Sequence, residues 1–189
     1  IDGKRHQPDV LPIPMDFTRM YFTRYSPKPL IATFNPAFEG KLEPVAVEVG
    51  ADEVMVGETT LALEWTEGQP ALKRMTRKNE IHPLELRFDR AFPDLQTLAD
   101  DTRLAGNFEI EGHPSTGRIA GEYVVEKKDG VVTITMVPTQ GWLPRPTKFS
   151  LRFLYTVASV FRKWPATYEW TAHLQVQETS AYTMRSAWR

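Results

Sequence analysis

The residues best suited to proton-transfer chemistry lie near the C-terminal end of the chain. Glu169 and His173 alternate with large apolar residues and therefore share one face of a predicted strand. Four positions separate them, about 13 Å along an extended chain, which is too far for a direct carboxylate–imidazole contact. A general acid/base site would need further groups, for which Tyr182 and Arg185 on the next predicted strand are the candidates. Two solvated residues on a polar strand face are the simpler interpretation, and we favour it.

The sequence lacks the local signatures of other chemistries. It contains no cysteine, which excludes a disulfide scaffold, a thiol nucleophile and a cysteine-ligated metal. Its four histidines are not spaced as metal-ligand pairs, and no phosphate-binding glycine loop or Gly-x-Ser-x-Gly elbow occurs. The segment 112–117, Gly-His-Pro-Ser-Thr-Gly, has the composition of a turn. We therefore predict no cofactor and no metal, and we favour a non-catalytic protein.

Large aromatic residues are the second candidate feature, because the predicted strands carry more of them than a flat two-layer core needs. A curved sheet could enclose an apolar small molecule with such side chains, or the same side chains could fill a core. The residues predicted to contact an apolar ligand are Trp65, Phe88, Trp142, Tyr168 and Trp170. The sequence leaves both interpretations open.

Charge is segregated along a chain whose formal net charge is only −1. Residues 42–72 contain seven acidic residues and no basic one, whereas residues 130–168 contain five basic residues and no acidic one. The basic residues, which we predict to contact a partner, are Arg145, Lys148, Arg152, Arg162 and Lys163. Another copy of the chain or an acidic protein would be attracted to them, so we expect salt-sensitive association. The balanced net charge disfavours nucleic acid as a partner, while peripheral contact with an anionic membrane stays open.

The elements that position these residues are mainly strands. Hydrophobicity alternates with period two over 45–49, 54–56, 61–65, 84–88 and 108–110, and again over 168–176 and 182–188. The clearest hairpin spans 118–137, because Asp129-Gly130 supplies the positive φ values of a primed turn. A short helix is predicted over 93–104.

A long amphipathic helix is predicted over about 148–164, between the capping residue Thr147 and Pro165. Alternation over 149–157 also fits a strand, but only a helix accounts for residues 158–164. Its aromatic side, including Phe153 and Phe161, is expected to be buried by the sheet, which leaves the basic stripe for a partner.

The predicted fold class is α+β and mainly antiparallel β: a curved sheet or partly closed barrel of about 8–10 strands with the long helix packed on it. One domain is assigned to 30–189, and an extended proline-rich arm to 1–29. No apolar run reaches the roughly 18 residues of a membrane span, and the compartment stays open.

The functional hypothesis is a non-catalytic binding or assembly module. It would hold an apolar ligand, or dock on a partner chain or a second copy through its arm and basic helix face. The alternative is a small cavity-type enzyme that uses Glu169 or His173 for general acid/base chemistry.

Overall fold

The structure is a computed structural model that describes residues 35, 37–78, 83–112, 118–140, 149–157, 169–176 and 182–188. These residues form strands and one short helix, α1 (Phe149–Val157). The strands are β1 (Phe38–Leu42), β2 (Glu53–Val56), β3 (Thr59–Thr66), β4 (Gln69–Arg77), β5 (Leu84–Phe92), β6 (Thr102–Glu111), β7 (Arg118–Lys128), β8 (Val131–Gln140), β9 (Trp170–Val176) and β10 (Tyr182–Trp188).

All ten strands belong to one antiparallel sheet in the order β1-β10-β9-β8-β7-β6-β5-β4-β3-β2. Strands β2 to β10 pair with their sequence neighbours, and β1 adds to the free side of β10. The sheet does not close, so β1 and β2 are its edge strands. The mainly antiparallel sheet predicted from the alternation is confirmed, and it is an open sheet rather than a barrel.

Some of the sequential strands are connected by short turns in which the backbone takes positive φ. Asp129 and Gly130, between β7 and β8, have φ values of 50° and 74°, which is the primed turn predicted from the sequence. Glu67 and Gly68 have the same pair of conformations between β3 and β4, with φ values of 53° and 79°. These turns match the twist of the strands that they join, and they fix the register of both hairpins.

The core lies on one face of the central strands. The register places Phe88, Phe108, Gly121 and Pro138 in one row across β5 to β8. The ring of Tyr123 lies 5.3 Å from those of Phe88 and Phe92, measured between centroids, and its hydroxyl donates to the Arg90 carbonyl. Because alternate residues point to opposite faces, the other side of the same strands is left polar.

The predicted strand over 45–49 is wrong. Residues 43–49 have no regular structure, and Val45 and Val49 are exposed. A turn follows, in which the Ala51 amide donates to the Glu48 carbonyl at 3.0 Å. A strand needs a neighbour for its backbone hydrogen bonds, and residues 43–49 pair with none of the described strands.

The helix predicted over 93–104 is also wrong, because residues 93–101 form an irregular loop and β6 begins at Thr102. The Asp94 carboxylate accepts the Gln96 amide at 3.1 Å, a local bond that competes with helix formation. Leu95 and Leu98 of this loop pack against the core. The apolar spacing therefore indicated correctly that these leucines are partly buried, but it did not indicate the backbone conformation correctly.

The long amphipathic helix packed on the sheet is not supported. The helix α1 is described over Phe149–Val157, and residues 158–164, with Phe161, lie outside the described residues. Phe149 and Phe153 are 81% and 63% exposed, so the expected burial of Phe153 is wrong. Periodicity shows which side of a helix is apolar, but it does not show whether another layer covers that side.

The side chain of Asp89 connects β5 to β6 by hydrogen bonds at the point where the backbone pairing of the two strands ends. The ladder between these strands runs from Glu85 to Phe88 on β5. The Asp89 carboxylate then accepts the Asn107 side-chain amide at 2.6 Å and its backbone amide at 2.7 Å. Both hydrogen bonds from Asn107 hold the pKa of Asp89 below its ordinary value of 3.8, and the side-chain bond has the larger effect. The side chain thus extends the connection between the strands by one residue.

We expect Asp89→Ala to lower the free energy of unfolding by about 1 kcal/mol at pH 7, because the hydrogen bonds to a charged but exposed acceptor are lost. A carboxyl group with a lowered pKa stabilises the fold fully above its unfolded value near 3.8, and the contribution disappears as the pH falls through the folded value. Urea unfolding at several pH values should therefore show the two proteins converging in acid. A difference that is the same at pH 7 and pH 2.5 would contradict this role.

Candidate functional site

The structure brings two of the predicted site residues together on the polar face of the sheet. His173 on β9 and Arg185 on β10 are direct cross-strand partners. Thr133 on β8 is the partner of His173 on its other side, and its Oγ1 lies 3.2 Å from His173 Nδ1. Glu39 on β1 is the partner of Arg185, with 3.9 Å between Glu39 Oε2 and Arg185 Nε. Four polar side chains therefore cross four strands in register.

The same row continues over two more strands. Glu126 on β7 is the partner of Thr133, and Arg103 on β6 is the partner of Glu126 and forms an ion pair with it. We call this set the polar row; its members are Arg103, Glu126, Thr133, His173, Arg185 and Glu39. Six adjacent strands span about 24 Å, so the polar row is a long surface feature at right angles to the strands.

Two depressions open on the polar row. One, of about 400 Å³, lies over β9, β10 and β1, where Lys41, Gln175 and Thr183 stand beside His173 and Arg185. The other, of about 350 Å³, lies over β6 to β8 and is lined by residues that include Arg103, Glu126 and Lys128. Both are open to solvent and face away from the core.

The other two acid/base candidates lie elsewhere. Glu169 precedes β9, and its carboxylate accepts the Thr171 hydroxyl at 3.1 Å. Tyr182 pairs with Leu42 on β1, and it is an odd number of positions from Arg185, which places the two side chains on opposite faces of β10. Burial, assisted by Asp94, raises the pKa of the Tyr182 phenol. The structure therefore joins His173 to Arg185 but separates both from Tyr182, and a catalytic role for any of the four stays a prediction.

The aromatic ligand candidates fall into two environments. Phe88 and Trp170 are buried members of the core, and Trp170 lies between Met136 on β8 and Trp188 on β10. Trp65 is partly buried near the β2 edge, where its Nε1 donates to the Ala51 carbonyl at 2.8 Å. Trp142 and Tyr168 lie outside the described residues. Ligand contact by this set stays a prediction.

One of the predicted partner-binding residues lies in the described part of the chain. Arg152 is exposed on α1, whose Phe149, Phe153 and Val157 follow each other at intervals of four and are also exposed. The remaining residues of the set, Arg145, Lys148, Arg162 and Lys163, lie outside the described residues. The side predicted to be buried is thus exposed together with Arg152, so we extend the name basic helix face to these four exposed residues of α1, Phe149, Arg152, Phe153 and Val157.

A second group of exposed apolar residues lies in a segment that is acidic rather than basic. Val45, Val49, Met55 and Val56, in and before β2, are exposed. We call the segment 43–56 the acidic edge; its acidic residues are Glu43, Glu48, Asp52 and Glu53. Arg74 on β4 contacts one of these acidic residues, Glu53, at 3.3 Å.

Sequence reasoning located the acidic segment but did not identify its exposed valines, because their alternation was interpreted as a half-buried strand. It also missed Arg103, Glu126, Thr133 and Glu39, whose only local signal is a polar residue at alternate strand positions. Their alignment depends on strand order and register, which alternation alone does not determine.

In the described ranges, no helix is long and apolar enough to cross a membrane. The same ranges contain no group of three or more side chains arranged to hold a metal ion. Comparison of the chain with protein-family models, curated proteins and solved structures finds no match.

Proposed function

We propose that the protein is a non-catalytic assembly module, whose copies associate by docking the basic helix face of one copy on the acidic edge of the next. The observation that carries this proposal is the distribution of exposed apolar groups. Within the described residues, the exposed large hydrophobic side chains fall in these two segments. Contiguous apolar groups exposed by a monomer are typical of interaction surfaces.

The two surfaces have complementary charge. The acidic edge lies in a stretch, residues 42–72, that has seven acidic residues and no basic one. The basic helix face lies in a stretch, residues 130–168, that has five basic residues and no acidic one. Attraction between such surfaces favours encounter and selects the orientation of docking, while burial of the apolar groups supplies the larger share of the binding energy.

A second copy of the chain is the occupant that these features favour, because each copy carries both halves of the contact. The two halves are different surfaces, so the contact is head-to-tail rather than a symmetric pairing of one surface with itself. In the described sheet β2 is an edge strand, so its outer side presents backbone groups that a docked segment can approach.

An anionic membrane surface is the competing occupant of the basic helix face. Phenylalanine side chains beside basic residues also suit the interface of a lipid bilayer. Such a surface would repel the acidic edge and leave its exposed valines uncovered, whereas a second copy covers both surfaces. The association of copies therefore accounts for more of the structure.

We expect the wild-type protein to self-associate weakly at low ionic strength and to dissociate as sodium chloride is added, because exposed ion pairs are screened by salt. Arg152→Glu should weaken self-association about tenfold or more, since it places acid against acid. The measurement is sedimentation velocity over a concentration series at low and high salt. Lys128→Glu is the matched control, because Lys128 is an exposed residue at the end of β7, outside both surfaces.

Three results would contradict the proposal. The first is a monomer at every concentration and salt level. The second is an equal effect of Arg152→Glu and Lys128→Glu, which would indicate net charge rather than the basic helix face. The third is binding of a monomeric protein to anionic vesicles that Arg152→Glu abolishes, which would assign the basic helix face to a membrane.

A further inference from the structure

We propose that the depression over β9, β10 and β1 is a binding site for a phosphate group. This site is on the polar face of the sheet and uses none of the residues that mediate the proposed assembly. Its potential ligating side chains are His173 and Gln175 on β9, Thr183 and Arg185 on β10, and Lys41 on β1.

The strand register arranges these side chains as a grid. His173 is the partner of Arg185, and Gln175 is the partner of Thr183. Lys41 on β1 is the partner of Thr183, so it is diagonal to Arg185. Cross-strand neighbours on one face lie about 5 Å apart at Cβ and diagonal neighbours about 7 Å, which long side chains span. Arginine, lysine, amide, hydroxyl and imidazole groups can therefore converge on one small ligand.

The Arg185 guanidinium is held only loosely by its neighbour Glu39. Its distance of 3.9 Å to Glu39 is at the outer limit of an ion pair, and the two side chains are 79% and 77% exposed. By contrast, Arg118 contacts Glu109 on the same face at 3.1 Å, and Lys73 contacts Glu64 at 3.2 Å. A weak pair costs little to break, so Arg185 can turn from Glu39 toward an anion in the depression.

The strands beneath the depression provide a fixed base. The other face of β9 and β10 carries buried residues, among them Leu174 and Ser186. The Phe38 amide on β1 donates to the Ser186 hydroxyl at 3.0 Å, which anchors the edge strand to β10. Donors carried by packed strands need less ordering on binding than donors carried by a loop.

The number of donors favours phosphate over carboxylate. The depression is lined by the cationic Lys41 and Arg185, by the polar side chains of His173, Gln175 and Thr183, by one carboxylate, Glu39, and by Val131 and Met184. A carboxylate has a single charge and two oxygens, and Arg185 alone can satisfy it in a bidentate pair. A phosphate monoester has three strongly accepting oxygens and nearly two negative charges at neutral pH, which matches both the cations and the excess of donors.

The experiment follows the His173 ring by proton–carbon NMR while inorganic phosphate is added at fixed pH and fixed ionic strength. His173→Gln identifies the ring signals by removing them. We expect a saturable shift with phosphate and none with chloride. Arg185→Gln should weaken the affinity about tenfold, because it removes the guanidinium donor that the described lining of the site provides. Glu39→Gln should strengthen it about threefold, because it removes a competing carboxylate.

The increase expected for Glu39→Gln separates binding from structural damage, which would only weaken it. Arg103→Gln, at the far end of the polar row, is the control for general loss of positive charge and should leave the affinity unchanged. Shifts that do not saturate, an equal response to chloride, or equal effects of Arg103→Gln and Arg185→Gln would overturn the proposed site. Acetate binding as tightly as phosphate would overturn the assignment of the ligand.

Discussion

Gly121→Ala should destabilise the protein by about 3 kcal/mol, although it adds a single methyl group. Gly121 lies in the buried row that joins Phe108 on β6 to Pro138 on β8. A Cβ atom at this position would overlap the Val137 carbonyl oxygen and would lie 2.6 Å from Phe108 Cζ. The first of these atoms is backbone, and the second belongs to a ring that is only 2% exposed, so neither can move without disturbing the core.

Gly40→Ala is the matched control, because it makes the same change in edge strand β1. The nearest atom to its Cβ would be Phe38 Cζ at 3.0 Å, the end of a partly exposed side chain that can rotate. We expect a loss below about 1 kcal/mol for Gly40→Ala. Equilibrium urea unfolding measures both variants. Equal losses for the two variants would show that the close approach of β7, β8 and Phe108 does not require glycine.

Trp170→Ala should lower the free energy of unfolding by about 3–5 kcal/mol, the usual cost of removing a large side chain from a core. Trp170 is 6% exposed and packs between strands on both sides. The comparison is Trp65→Ala, at a partly buried tryptophan near the β2 edge, for which about 1–2 kcal/mol is expected. Thermal and urea unfolding give both values.

This pair of variants also tests the two interpretations of the aromatic residues. A core tryptophan stabilises the folded chain whether or not a ligand is present. If Trp170→Ala leaves stability unchanged while it abolishes binding of an apolar dye, then Trp170 contacts a ligand and the core assignment is wrong.

The parts of the fold that could be predicted from the sequence are those that neighbouring residues determine. The hairpin at Asp129-Gly130 followed from two residues that tolerate positive φ, and strands β5 and β9 followed from alternation over several residues. The segments 45–49 and 93–104 show the limit of such patterns. The same apolar spacing occurs in an exposed stretch and in a loop that packs on the core, because burial depends on partners that are distant in sequence.

The candidate sites were predictable only in part, for the same reason. His173 and Arg185 were selected as polar residues on adjacent strands, and the sheet does make them partners. Thr133 precedes His173 by 40 positions in the chain, and Glu39 precedes it by 134. No local pattern therefore connects these residues with His173. The acidic edge was visible as a run of acidic residues, but its exposed valines became apparent only when β2 proved to be the edge of the sheet.

The most direct test of head-to-tail assembly is to mix two variants that each lack one surface. Phe153→Asp places an acid on the basic helix face, and Val49→Lys places a base on the acidic edge, where Val49 is 87% exposed. Each variant alone should sediment as a monomer, because each retains only one half of the contact. The mixture should associate through the one intact contact, between the acidic edge of the Phe153→Asp variant and the basic helix face of the Val49→Lys variant. A mixture that stays monomeric while the wild type associates would contradict the account, because it would show that the two surfaces do not bind each other.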